Sequence, residues 1–178
     1  MLPDYIPGSS PGSIREIDLA SLPIPSDYSP ITVAVCTRDR HLALRRCLES
    51  IAKLHYPNYE VLVVDNASKS DATRELTLQY GFRYVREDRP GLDWARNCAL
   101  QQASHEVVAF TDDDVRVDRL WLQGVARGFA FGDAACVTGL ICPLEMSWPA
   151  QMLFEQYGGM GKGSSQSYST PHACLWLG

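Results

Sequence analysis

Apolar runs that alternate with stretches of helical spacing constrain this chain more than any other feature. "ITVAVC" (31–36), "YEVLVVD" (59–65) and "EVVAFTDDD" (106–114) are continuous and rich in β-branched residues. Strands buried on both faces read this way. Leu44, Cys47, Leu48, Ile51 and Leu54 recur with helical spacing, which predicts an amphipathic helix over 41–54, ended by Pro57. Ser70 or Asp71 is placed to open a second helix running to about Tyr80. "FRYVRE" (82–87) predicts a short strand, and Leu92, Ala95 and Ala99 trace a helix after the turn "RPGLD". A further helix is expected from about Arg119 to Phe131, with Leu120, Trp121, Val125 and Phe129 inward. A strand-like run follows at 134–145, then a short helix at 149–157. Strand–helix alternation predicts an α/β domain, a mostly parallel sheet with helices on both faces. Its strands then end along one shared edge, beyond which ligands bind.

The segment 1–30, with six prolines among Gly and Ser, reads as an extension, and 31–178 as the folded domain. A net charge of -5 with no basic block argues against a nucleic-acid partner. Cysteines 36, 47, 98, 136, 142 and 174 form no CxxC pair and read as reduced, buried small hydrophobes. "MLPDYIPGSSPGS" lacks the apolar core of a signal peptide, and no run approaches the ~20 residues of a membrane span. A cytoplasmic location is therefore expected, with peripheral contact at the inner membrane face left open.

Three polar signals fall at the expected strand ends: Thr37–Arg40, Asp65–Asn66 and Asp112–Asp114. Three adjacent carboxylates repel one another unless a positive group sits between them. In an extended segment Asp112 and Asp114 point one way and Asp113 the other. Such oxygen ligands suit Mg²⁺ or Mn²⁺, completed by substrate phosphates. Against this stands an acidic helix N-terminus, which needs no ligand. Asp65 has the placement of an acid that accepts from a ribose or a base, or else of a turn former. Arg96, early in a helix, can fork onto a phosphate or a carboxylate, and Thr37 and Arg38 follow the first strand. The histidines at 41, 55, 105 and 172 show no metal spacing.

From Ile31 onward the chain resembles the family 2 glycosyltransferases of the GT-A fold. The pieces are "VAVCTRDR" followed by "LRRCLESI", then "YEVLVVDNASKSD", "RPGLDWARNCAL" and "VVAFTDDDV", in that order. The resemblance implies an enzyme that moves a sugar from a nucleotide-diphosphate donor, UDP-type in the commonest case, to an acceptor hydroxyl with inversion. It implies nucleoside contacts at Thr37, Arg38 and Asp65. The DxD motif maps to Asp112–Asp114 and holds ribose and a divalent cation, Mn²⁺ or Mg²⁺. Asp112, Asp113 and Arg96 are thus expected on the nucleotide, and Asp112 and Asp114 on the metal.

A haloacid-dehalogenase-type phosphatase also uses Asp-x-Asp at a strand end, but Arg116 stands where its motif wants Thr or Val. A sugar-nucleotide nucleotidyltransferase wants a glycine-rich loop after Cys36, which is absent. The family's catalytic base follows a "GANxAFR"-like strand, and the sequence ends at "HACLWLG" where that strand is expected to start. Asp118, Asp133, Glu145 and Glu155 lack the base's context, so none is assigned. The expectation is a complete donor half and a truncated acceptor half. A nucleotide-sugar-binding fragment without transferase activity is the alternative.

Overall fold

The computed structural model describes residues 29–130, 134–139, 141–144, 147–157 and 174–177. They fall into two compact units, one within Pro25–Arg127 and one from Gly128 onward. The first is built in chain order from β1 (Ile31–Thr37), α1 (His41–Ile51), β2 (Tyr59–Asn66), α2 (Ala72–Gln79), β3 (Arg83–Glu87), α3 (Leu92–Gln102) and β4 (Val107–Asp112). α4 (Trp121–Ala130) follows. The strands form one sheet in the order β3-β2-β1-β4, and every pair is parallel. Register matches Thr37 with Asp65, and Cys36 with both Val64 and Asp112, so the three polar signals meet at one edge.

Strand parity divides the core. Ile31, Val33 and Val35 of β1, Val61 and Val63 of β2 and Ala109 of β4 pack with Leu44, Cys47, Leu48 and Ile51 of α1, Leu76 of α2 and Leu122 of α4. Each large aliphatic side chain fully buried there stabilises by about 1.5–3 kcal/mol. On the opposite face Ala34, Leu62 and Val64 meet Ala95 and Ala99 of α3, a contact of small side chains. Helices therefore lie on both faces, as the alternation requires.

Several boundaries differ from expectation. α1 stops at Ile51, because Lys53 N–H and Leu54 N–H bond back three residues, to Ser50 and Ile51, and tighten the last turn. Asp71, not Ser70, is the N-cap of α2. β4 ends at Asp112, two residues before the end of the acidic run. On α4 the inward residue is Leu122, fully buried, with Trp121, Val125 and Ala126 beside it, while Leu120 is exposed. Cys47 is buried and Cys36 and Cys98 partly so, but Cys136 and Cys142 are exposed, contrary to the expectation of uniformly buried thiols.

In the second unit β5 (Cys136–Gly139) pairs in parallel with β6 (Cys174–Leu177), and α5 spans Pro149–Tyr157. Of the expected strand at 134–145, Cys136–Gly139 is strand among the described residues. β6 falls within "HACLWLG", where the family resemblance placed the start of a strand. Of the expected extension 1–30 only Ser29 and Pro30 are described, and the Ser29 carbonyl accepts the Tyr56 hydroxyl at 2.6 Å.

Candidate nucleotide-sugar site

β1 has β2 on one side and β4 on the other, so the chain changes direction across the sheet there. In open parallel sheets ligands bind at this switch point. Thr37, the last residue of β1, donates from its hydroxyl to Asp113 Oδ2 at 2.6 Å, bridging β1 to the turn after β4. Asp113 is buried, whereas Asp112 and Asp114 are exposed. Burial pushes the Asp113 carboxyl above its ordinary range. The Thr37 bond and the Arg40 charge oppose that shift, and Asp114 and Asp112 add to it.

The positive group among the carboxylates is Arg40. It occupies the N-cap position of α1 and places one guanidinium nitrogen 2.9 Å from Asp113 Oδ1 and the other 2.8 Å from Asp114 Oδ2. "TRDR" carried this signal, yet Arg40 was not among the expected site residues. The counter-charge sought in a metal is supplied in part by the chain itself. The Asp112 carboxylate makes no hydrogen bond or ion pair among the described residues, although its carbonyl accepts the Cys47 thiol at 3.4 Å.

The β1–α1 and β2–α2 loops lock together beside this cluster. Asp39 and Ala67 both adopt left-handed backbone, with φ of 54° and 57°. Asp39 N–H donates to Ser68 Oγ at 2.9 Å, and Lys69 N–H donates to Asp39 Oδ1 at 2.7 Å. Asp65 is fully buried beneath them; Oδ1 accepts Ser68 N–H and Oδ2 accepts the Tyr84 hydroxyl, each at 2.9 Å. Arg86 lies 3.7 Å from Asp65 and donates to the Ser68 carbonyl at 3.1 Å. Both Asp65 and Asp113, expected on the nucleotide, thus have their oxygens committed to the protein in this conformation.

Asn66 governs the β3–α3 loop. Its amide donates to the Arg89 carbonyl at 2.8 Å and accepts Gly91 N–H at 2.7 Å. Gly91 needs its lack of a side chain, since its φ is 139° and a Cβ there would come within 3.3 Å of Trp94. Arg89 forks onto Glu87 with two 2.8 Å bonds and lies 4.0 Å over the Trp94 ring. The Asn66 bonds reach more than twenty residues along the chain, so no local pattern marked them.

Arg38 and Arg96 are exposed and make no hydrogen bond or ion pair among the described residues. Arg96 charge nevertheless reaches the Cys36 thiol at the end of β1. There burial dominates and pushes the thiol up to about 11, and Cys47 rises to about 12 for the same reason. Both shifts disfavour the thiolate form. Of the four possible bases, Asp118 uses Oδ1 to accept Leu120 N–H at 2.8 Å at the start of α4. Asp133, Glu145 and the Glu155 side chain lie outside the described residues.

An all-parallel sheet with flanking helices and an acidic turn at its switch point is the GT-A architecture. The family described as "Glycosyl transferase family 2" matches residues 32–163, and the chain belongs to it. Among relatives, glycosyltransferase AglE of Haloferax volcanii is 34% identical over 88 residues, 45% of this chain and 29% of AglE. Succinoglycan biosynthesis protein ExoM of Rhizobium meliloti is 28% identical over 124 residues, 65% of this chain and 40% of ExoM. The mannosyltransferase PcManGT of Pyrobaculum calidifontis, solved with GDP-Man and Mn²⁺, superposes with a TM-score of 0.62 at 28% identity. That match covers 68% of this chain and 38% of PcManGT. S. aureus TarS shares the fold, with a TM-score of 0.60 at 24% identity over 67% of this chain and 37% of its own. The chain therefore spans well under half the length of these relatives. Among the described residues no helix is long and apolar enough to cross a membrane.

Proposed function

We propose that this chain binds a nucleotide-diphosphate sugar at the C-terminal edge of the sheet. It belongs to an enzyme that moves the sugar to an acceptor hydroxyl with inversion and with help from a divalent cation. The observation that carries this reading is the Asp112–Asp114 turn at the switch point, with Asp112 and Asp114 exposed and Asp113 anchored beneath. The donor set fits Mn²⁺ or Mg²⁺. Such ions take one or two carboxylates plus substrate phosphates, and the Asp112 carboxylate is unengaged among the described residues. Asp112 and Asp114 would hold the ion, whose role is to stabilise charge on the leaving diphosphate.

The chain's own part is to bind and orient the donor. Arg38 and Arg96, uncommitted cations at the same edge, suit the diphosphate, Arg96 by forking onto its oxygens. The β1–α1 and β2–α2 loops, locked together, form the rigid wall of a nucleoside site, with Thr37 and Asp65 buried as its supports. Deprotonation of the acceptor belongs to a carboxylate base that is not assigned. PcManGT, solved with GDP-Man and Mn²⁺, supports the donor class.

A second reading is donor binding without transfer by these residues alone. It draws on Asp118, the one candidate base with a described side chain, whose carboxylate is engaged by the Leu120 N–H just before α4. Thermal shifts with UDP, GDP and their sugars, with and without Mn²⁺, test the donor reading, because a ligand of the folded state raises its melting point. Metal-dependent shifts that Asp112→Asn removes are expected, and no shift with any nucleotide would overturn the reading. Turnover of a bound donor onto acceptors separates the two readings.

A further inference from the structure

The two carboxylates that Arg40 bridges are held very differently. Asp113 has a side chain only 5% exposed, and both of its oxygens are used, Oδ2 by the Thr37 hydroxyl and Oδ1 by Arg40. The Asp114 side chain is 53% exposed, and Arg40, itself 52% exposed, is its one partner among the described residues. A cation arriving from solvent finds the Asp112 carboxylate open but one oxygen of Asp114 occupied by a guanidinium. We propose that Arg40 is a displaceable counter-cation: it neutralises the acidic turn until a divalent ion takes Asp114, and it stays anchored on Asp113. Arg40 is thus a positioning residue that sets the metal affinity of the site. The proposal rests on the metal reading above.

Two opposite consequences follow from one guanidinium. Without metal it offsets repulsion among three adjacent carboxylates, so its loss destabilises the protein. Toward metal it competes, both by occupying Asp114 and by placing a positive charge a few ångströms from the ion. Replacing Arg40 therefore lowers the melting point of the metal-free protein and tightens the binding of Mn²⁺.

The test is calorimetric titration of the full chain with Mn²⁺ alone, beside thermal melts with and without the ion. Arg40→Met is expected to bind Mn²⁺ about tenfold more tightly than the parent, since it removes a unit charge beside the ion. Its melting point is expected to be lower without metal and to recover with it. Adding Asp114→Asn to Arg40→Met is expected to abolish the gain. Unchanged or weaker affinity in Arg40→Met, beside a parent that binds, would overturn the proposal and leave the metal reading intact. Failure of both proteins to bind Mn²⁺ or Mg²⁺, even with UDP or GDP present, would remove the metal reading and the proposal with it. If Arg40→Met does not fold, Arg40→Lys decides. A lysine is a point charge that cannot fork onto both carboxylates, so tighter binding than the parent supports displacement and parental affinity refutes it.

Discussion

Thr37→Val removes one hydroxyl and leaves the volume of the side chain almost unchanged. The hydroxyl lies 2.6 Å from Asp113 Oδ2, and both residues are buried. A hydrogen bond to a charged group is worth about 1.5–3 kcal/mol, and little water can replace it at a buried carboxylate. In a domain of this size that corresponds to a fall in melting temperature of about 3–12 °C. The pH dependence identifies the partner. Burial first, partly offset by the Thr37 bond and Arg40, holds the Asp113 carboxyl above its ordinary range. A carboxyl raised on folding contributes stability that is present at low pH and is lost as pH rises through its folded pKa. Removing the hydroxyl raises that pKa further, because the lost bond favoured the charged form. The penalty of Thr37→Val is therefore full at pH 7 and shrinks as pH falls through the Asp113 titration. Urea unfolding of parent and variant across pH 4–7 measures it. A penalty below ~0.5 kcal/mol at pH 7, or one that does not vary with pH, would refute the reasoning.

The Arg89 bonds take Glu87 from an ordinary 4.5 down to about 2. Its contribution to stability is present above the ordinary value and lost as pH falls from about 4.5 through about 2. Glu87→Gln is expected to flatten that acid limb of the stability curve, read by melts between pH 2 and 6. Ala67 sits at φ 57°, a region that penalises a side chain by about 1–2 kcal/mol. Ala67→Gly is expected to stabilise by up to about 1 kcal/mol after the unfolded-state entropy of glycine is subtracted, measured by chemical denaturation.

Much of the scaffold was legible locally. Buried parallel strands write themselves as runs such as "ITVAVC" and "YEVLVVD", and α1 as a 3.6-residue period through Leu44, Cys47, Leu48 and Ile51. α5 coincided with its expected span, Pro149–Tyr157. Boundaries slipped where tertiary contacts compete with pattern. The period in α4 suggested Leu120, but the sheet selected Leu122. β6 lies where a strand was expected to start, but its parallel partner, β5, is set by tertiary structure and not by any local pattern.

The sequence by itself determined which residue types reach the sheet edge. Period and parity put Thr37, Asp65 and the acidic turn at strand ends, and four ordered motifs pointed to the family that matches residues 32–163. Tertiary structure alone decided which charges pair. Arg40 lies more than seventy residues from Asp113 and Asp114 yet bridges them. Asp39 and Lys69 bond across two separate loops, and Asp65 ties Ser68 to Tyr84 from a fully buried position. Electrostatic partnership depends on distance and burial in three dimensions, to which a one-dimensional pattern of charges is blind.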